Sequence, residues 1–275
     1  MTNSHTGVAE VNGAQIAYEI AGEGFPLVLI HAGVADRRMW DAQMPAFAQA
    51  HRVLRYDMRG YGQTPMPAGP FAHRRDLIGL LEALGIGQAV LLGCSMGGTT
   101  AIDAALERPD LVAALIVVGS SPSGLEIEVA PPRQWDELVA AYKARDMERT
   151  AELEVEIWVD GPQRTPDQVP AAVRELVRQM NLIALTNEAA GLGQPEPMSP
   201  PAAGRLGEIR VPTLVIHGDL DQPDIPQSSA YLAEQIGGAR HVVMPGTAHL
   251  PNMEQPEEFN RIVSDFLSNI APTLR

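Results

Sequence analysis

The sequence predicts an α/β protein in which helices flank a mostly parallel sheet, and three observations support this prediction. Short apolar runs alternate with helical patterns from the N-terminus to about residue 120. The later runs are apolar throughout, as expected for strands that helices cover on both faces. Strand-like sequence then resumes after a long helical stretch, which indicates one sheet interrupted by an insertion.

The individual elements follow this alternation in chain order. The predicted strands before residue 120 are QIAYEI, PLVLIH, HRVLRYD, QAVLLG and AALIVVG. A helix is predicted over residues 72–84, because leucines recur there at helical spacing on one face. Beyond residue 204 we expect a strand in RVPTLVIHGD, a helix over residues 226–236, a short strand in RHVVMPG and a last helix over residues 255–270.

Residues 122–204 are predicted to form a helical cap, inserted into a core of residues 1–121 and 205–275. Stripes of apolar residues at helical spacing run from Trp135 to Tyr142 and from Val173 to Met180. The segment LEVEIW alternates as a strand would, but its apolar spacing fits a helix equally well, and we predict a helix. The proline-rich passage GQPEPMSPP is expected to close the insertion as a stiff linker without regular structure.

Composition narrows the class of partner. The chain of 275 residues carries 20 basic and 34 acidic side chains, a formal net charge of −14 that disfavours binding to nucleic acid or to anionic membranes. No apolar run approaches the roughly 18 residues of a membrane span, and the N-terminus lacks the pattern of a secretory signal, so we expect a cytoplasmic protein. Cys94 is the single cysteine, which excludes an internal disulfide.

The pentapeptide GCSMG places Ser95 between two glycines, where an apolar run gives way to a helical pattern. A sharp turn between strand and helix would expose the Ser95 hydroxyl at the edge of the sheet. An ordinary glycine turn before a helix would also fit these five residues. The catalytic interpretation therefore requires a histidine and a carboxylate that can activate the serine.

Both residue types occur downstream in loops that follow predicted strands. His249 lies in MPGTAHLPNMEQPEEF, between a short strand and the last helix. Asp219, Asp221 and Asp224 follow the strand TLVIHG, and the residues alone leave the choice among them open. Both loops should open on the same edge of the sheet as the turn at Ser95, because each follows a strand of a mostly parallel sheet.

These motifs together resemble the α/β-hydrolase superfamily, in particular its small cap-bearing esterases and enol-lactonase-like members. The resemblance spans nearly the whole chain and includes LIHAGVADRRMWDAQ, YDMRGYGQT and the Gly-x-x-Asp of residues 218–221. It implies an α/β-hydrolase fold in which the cap follows the strand after the nucleophile helix. It also implies a catalytic triad of Ser95, Asp221 and His249, with Asp219 as the rival acid.

The resemblance further implies an oxyanion hole formed by backbone N–H groups of Gly33 and Met96. The family usually has His-Gly at the start of the first loop, whereas Ala32 follows His31 here, so Val34 is the adjacent alternative. Val34, Trp158 and Leu250 are the candidate pocket residues. His31 is interpreted as a structural residue of its loop, and His217 as a residue that supports the site from beside the acid loop. The remaining histidines are interpreted as surface or strand-edge residues, namely His5, His51, His73 and His241.

The implied activity is hydrolysis of a small or medium carboxylic ester or lactone through an acyl-enzyme, with neither a metal nor an organic cofactor. Carbon–carbon bond hydrolases of this superfamily usually have a tryptophan after the catalytic histidine, so Leu250 disfavours that alternative. A perhydrolase using the same triad and a non-catalytic small-molecule receptor also stay open. The sequence leaves monomer and homodimer undecided.

Overall fold

A computed structural model describes residues 4–274 of the chain. The strands in this range are β1 Ser4–Val11, β2 Ala14–Ala21, β3 Phe25–Ile30, β4 His51–Tyr56, β5 Gly69–Phe71, β6 Ala89–Cys94, β7 Val112–Val118, β8 Gly193–Pro195, β9 Thr213–Gly218 and β10 Arg240–Met244. The α-helices are α1 Gln43–Phe47, α2 His73–Ala83, α3 Met96–Glu107, α4 Trp135–Lys143, α5 Met147–Val155, α6 Ala171–Ala189, α7 Asp224–Gln235, α8 Pro251–Glu254 and α9 Pro256–Ile270. The elements predicted from apolar periodicity are all present.

Eight strands form one twisted sheet in the order β1-β2-β4-β3-β6-β7-β9-β10. Strands β1 and β2 run antiparallel to their neighbours, and the pairs from β4 to β10 are parallel. The strand order reverses direction between β3 and β6, which opens a crevice beyond the carboxyl ends of these two strands. The prediction of a mostly parallel sheet is confirmed.

Helices cover both faces of the sheet because each carries one apolar stripe. On one face, Leu77 and Leu80 of α2 pack with Ala101 and Ile102 of α3 and with Leu232 of α7. On the other face, helices α1 and α9 contribute a second apolar cluster. The strands between these layers are buried on both sides, and β6 and β9 are buried over their whole length.

The stretch between β7 and β9 contains α4, α5 and α6, and we retain residues 122–204 as the proposed cap. Helix α5 continues directly into a π-helix, Glu156–Asp160, so the ambiguous segment LEVEIW is helical as predicted. Val155 and Val177 belong to the same apolar cluster as Val34. The inserted helices therefore share a core with the loop after β3.

Two features differ from the expectations. The proline-rich passage is not wholly irregular, because its first three residues form β8, which pairs in parallel with β5. Strand β1 was not predicted, since its alternating polar and half-exposed residues lie at the edge of the sheet. Among residues 4–274, no helix is both long and apolar enough to cross a membrane.

Candidate active site

Ser95 occupies a strained turn between β6 and α3. Its backbone has φ 53° and ψ −120°, a conformation that residues other than glycine rarely adopt. The turn is tight: a Cβ at Gly93 would collide with the carbonyl of Gly97, and one at Gly97 with the carbonyl of Ile30. The glycines of GCSMG are thus required by close backbone approach, and the turn places Ser95 at the carboxyl edge of the sheet.

His249 and Asp221 are hydrogen-bonded to each other in two neighbouring loops. His249 Nδ1 lies 2.9 Å from Asp221 Oδ2 and 3.1 Å from Oδ1. Both residues are almost fully buried, with 2% and 4% of their surface exposed. The backbone N–H of Gln222 also donates to Asp221 Oδ1, at 2.7 Å. This arrangement orients the imidazole ring and leaves its Nε2 atom facing away from the carboxylate.

Asp219 does not contact the histidine. Its Oδ1 accepts a hydrogen bond from the backbone N–H of Gly246, at 2.7 Å, which ties the loop after β9 to the loop after β10. The sequence left open which of the neighbouring aspartates contacts His249, and the hydrogen bonds identify it. Asp221 is the carboxylate that orients His249, and Asp219 supports the loop.

Contacts on either side of the elbow bring the His249 loop next to Ser95. The thiol of Cys94, the residue before Ser95, lies 3.6 Å from the carbonyl oxygen of His249. The backbone N–H of Ser95 donates to Val118 at the end of β7, and a Cβ on the next residue, Gly119, would lie 3.4 Å from His249 Nδ1. Burial raises the pKa of the Cys94 thiol, which keeps it protonated.

Neither Ser95 Oγ nor His249 Nε2 hydrogen-bonds to any atom of residues 4–274. Catalytic hydrogen bonds are often long in free enzymes and tighten when substrate is bound. Both atoms are thus available for a substrate and for each other.

Gly33 and Met96 lie side by side. A Cβ at Gly33 would be 3.8 Å from Met96 Cβ, and the two backbone N–H groups have no acceptor within the described chain. His31 holds the first loop, because its Nε2 accepts from the N–H of Met58 at 2.9 Å while Nδ1 lies 2.8 Å from the carbonyl of Ala32. Burial lowers the pKa of His31, which favours this neutral ring. The pair of free N–H groups next to Ser95 is suited to binding an oxyanion.

Trp158 contacts the histidine directly. Its ring centroid lies 4.6 Å from that of His249, and its carbonyl oxygen accepts from the His249 N–H at 3.3 Å. It also lines a cavity of about 210 Å³ together with Gln222. Gln222 Nε2 donates to the carbonyl of Ile157 at 2.6 Å, so the π-helix is tied to the loop that carries Asp221. Gln222 was not predicted from the sequence, where only its position directly after Asp221 sets it apart.

The other two candidate pocket residues lie elsewhere. Val34 and Leu250 belong to the apolar cluster that the inserted helices share with one face of the sheet, and Leu250 has no exposed surface. Leu250 thus supports the histidine loop from behind, because its side chain points into the core.

A second cavity, of about 380 Å³, lies on the Met96 side of the elbow. Its lining includes Tyr61, Phe71, His73, Met96 and Glu188. The Tyr61 hydroxyl lies 3.7 Å from the Met96 sulfur. The interpretation of His73 as a surface or strand-edge residue is wrong, since helix α2 begins at His73 and directs it into this cavity. Burial lowers the pKa of His73 to about 3, so its imidazole is neutral at physiological pH.

Comparison with known proteins identifies the family. The model of the alpha/beta hydrolase fold matches residues 26–256, and the chain belongs to this family. An enol-lactonase from Burkholderia xenovorans has a TM-score of 0.78 and 28% identity, over 95% of this chain and 100% of its own. The predicted superfamily and fold are confirmed.

Two relatives of known activity align with this chain over nearly its whole length. A 2-hydroxymuconate semialdehyde hydrolase from Pseudomonas sp. is 29% identical over 90% of this chain and 88% of its own. A pimeloyl-(acyl-carrier protein) methyl ester esterase from Aeromonas hydrophila is 28% identical over 92% and 99%. The protein is therefore a hydrolase of the α/β fold, while these relatives differ in the bond that they cleave.

Proposed function

We propose that the protein is a serine hydrolase that cleaves a small or medium carboxylic ester or lactone through an acyl-enzyme. The observation that carries this proposal is the buried hydrogen bond of 2.9 Å between His249 and Asp221, next to the strained turn of Ser95. The similarity to an enol-lactonase and to a methyl ester esterase supports an ester-type bond.

In the proposed first step, His249 Nε2 removes the hydroxyl proton of Ser95 while Oγ forms a bond to the acyl carbon. Asp221 holds the imidazole tautomer and stabilises the imidazolium. The carbonyl electrons move onto oxygen, which the N–H groups of Gly33 and Met96 bind, each contributing about 3 kcal/mol. His249 then protonates the departing alkoxide. Water, deprotonated by His249, releases the acid in the second half of the reaction.

The cavities next to the elbow support a substrate of limited size. The two that Met96 helps to line measure about 380 and 450 Å³, within the range of small-molecule sites. Their walls are mostly apolar, with Tyr61, Phe71 and Met96 on the side of the elbow. An apolar acyl chain of a few carbons is the substrate that this space fits best.

A carbon–carbon bond hydrolase is the second candidate, and one contact favours keeping it. The sequence argument against this activity is that Leu250 stands where a tryptophan is usual. In the folded protein Trp158 packs against the His249 ring instead, from the inserted helices. The similarity to a 2-hydroxymuconate semialdehyde hydrolase supports the same candidate.

The test is turnover of nitrophenyl esters and of lactones by the wild type and by Ser95→Ala, with Ser264→Ala as the control for an exposed serine on α9. We expect Ser95→Ala to lose activity by about 10⁴-fold or more and Ser264→Ala to keep it. A fluorophosphonate should add once, at Ser95, as read by mass spectrometry.

The other outcomes separate the alternatives. Ester turnover unchanged in Ser95→Ala would contradict the mechanism. A folded protein that is labelled at Ser95 and yet turns over neither esters nor lactones would favour the receptor, or the carbon–carbon activity if a vinylogous diketone is cleaved.

A further inference from the structure

Glu154 is a partly buried carboxylate in the inserted segment, in the wall of the cavity that Trp158 also lines. It lies near the end of α5, four residues before Trp158, and helps to line two adjoining cavities of about 210 and 270 Å³. Its Oε2 accepts a hydrogen bond of 2.6 Å from Asn181 Nδ2, and its Oε1 has no partner among residues 4–274. Asn181 is itself buried in α6 and positions the carboxylate.

The environment of Glu154 differs from that of its neighbours on the same helix. Glu148 and Glu152 of α5 form ion pairs with arginines of α6, and Glu156 pairs with Arg149. No nitrogen of arginine, lysine or histidine lies within 4.0 Å of Glu154 in the described chain. Burial raises the pKa of Glu154, and the charge of Glu188 adds to this effect. A carboxylate left without a cation in such a place is costly unless something else pairs with it.

Glu154 lies between the two halves of the proposed active site. On one side its cavity reaches Trp158, which packs against the His249 ring. On the other side, burial raises the pKa of the Tyr61 phenol, and the charges of Glu188 and Glu154 add to this effect. The Tyr61 hydroxyl in turn contacts the side chain of Met96. The carboxylate therefore lies in the inserted segment between a cavity that reaches Trp158 and a cavity that shares Glu188 with the one at Met96.

A second acidic residue borders one of the cavities that Glu154 lines. Glu188 is exposed and helps to line both the cavity at Met96 and the cavity shared with Glu154. Lys143 helps to line the latter as well; its side chain is exposed, and it forms no ion pair within the described residues. Glu154 and Glu188 thus border the same cavity.

We propose, on the basis of the proposed hydrolase function, that Glu154 is a specificity-determining residue that accepts a hydrogen bond from an ammonium group of the substrate. The substrate class is an ester or lactone whose acyl or alcohol part carries a protonated amine. An equivalent ester with a free carboxylate is repelled by Glu154 and Glu188, because like charges at this depth are poorly screened. Ester cleavage itself still depends on Ser95.

The first experiment measures competitive inhibition of nitrophenyl butyrate hydrolysis by n-butylammonium, 1-butanol and butyrate at constant ionic strength. We expect n-butylammonium to inhibit the wild type about tenfold more strongly than 1-butanol, and butyrate to be the weakest. Glu154→Gln should remove the advantage of the ammonium ion. Glu148→Gln, a charge-matched change in the ion-paired part of α5, should leave the order unchanged.

The second experiment compares kcat/KM for nitrophenyl esters of 6-aminohexanoate, hexanoate and the adipate monoester. The expected wild-type order is amine, then methyl, then carboxylate, and Glu154→Gln should reduce the ratio of amine to carboxylate by about tenfold or more. Glu154→Asp keeps the charge and should retain part of the preference. Unfolding curves of all variants establish that the changes are not losses of structure.

Calorimetric binding of n-butylammonium to Ser95→Ala, with and without Glu154→Gln, separates the two proposals because it needs no turnover. Ester hydrolysis that depends on Ser95, together with an inhibitor order unaffected by Glu154→Gln, overturns the role of Glu154 alone. Hydrolysis that survives Ser95→Ala overturns the hydrolytic mechanism, and the calorimetric result then decides the ammonium site by itself. A preference for 1-butanol over n-butylammonium also overturns the site.

Discussion

The two sides of the candidate site are held by different means. On the sheet side, Asp221 and His249 are buried, and the loops that carry them are joined by a backbone hydrogen bond of 2.9 Å between Leu220 and Thr247. On the side of the inserted helices, α5 and α6 are joined in part by ion pairs near the surface, such as Glu148 with Arg178. Chemistry needs groups fixed to within a fraction of an ångström, whereas selectivity tolerates adjustment. The difference fits our proposal, in which the sheet edge carries the reaction and the inserted helices select the substrate.

The largest effect is expected from the acid on the sheet side. Asp221→Asn should lower kcat by roughly 10⁴-fold, because an amide favours the wrong imidazole tautomer while the fold is kept. Asp219→Asn is the matched control, and it should change kcat by about threefold at most, since Asp219 contacts only the Gly246 N–H. Steady-state kinetics with a nitrophenyl ester measure both. Equal losses in the two variants would contradict the assignment of the acid.

A smaller effect should appear in stability, and it should be larger for a buried ion pair that joins the His249 loop to the inserted segment than for an exposed pair within the inserted helices. Glu254 accepts from the Ala248 N–H at 2.8 Å and pairs with Arg164 at 2.6 Å, with both side chains buried. Glu254→Gln leaves that arginine buried without a counter-charge, so the free energy of unfolding should fall by about 3 kcal/mol. Glu148→Gln should cost less than about 1 kcal/mol, because its ion pair is exposed. Urea unfolding of both variants measures these losses. A similar fall in the free energy of unfolding of the two variants would contradict the prediction.

The smallest effect concerns the contact that joins the two sides. Trp158→Leu should lower kcat by about tenfold with little change in KM, because the indole face no longer supports the charged imidazole of His249. Trp158→Phe should keep most of the rate. Trp135→Leu removes an exposed tryptophan from the same cavity, and it should alter KM more than kcat. A loss confined to KM in Trp158→Leu would show that the residue is only a pocket wall.

Much of the fold could be predicted because local patterns agree with the final structure. The strands β3, β6 and β7 are continuous apolar runs, and the residues around Ser95 include the glycines that the turn requires. Strand β1 escaped prediction because an edge strand is exposed in alternation and carries few apolar residues. Strands β5 and β8 escaped because three residues hold too little pattern, and only their pairing defines them.

The site was predictable to the extent that single loops carry a motif. Ser95 and His249 were predicted from the loops that carry them, and Asp221 from the resemblance to the α/β-hydrolases; Asp221 and His249 lie within hydrogen-bond distance of each other. Leu250 was placed in the pocket, but it points into the core, because the direction of a side chain in a loop depends on what packs around it. His73, Gln222 and Glu154 belong to no sequence motif. Their proximity to the site follows only from the cavities that they line and the loops that they contact.

The amino-acid sequence by itself determined the α/β class, the strained turn at Ser95 and the order of the loops that follow the strands. These depend on interactions within about ten residues, where apolar periodicity and the backbone freedom of glycine dominate. Only the tertiary structure decided that Asp221 and not Asp219 pairs with His249, that Trp158 packs on the imidazole, and that Glu154 lies without a cation beside them. Such pairings join residues far apart in the chain, and they follow from how the sheet, the loops and the inserted helices pack against one another.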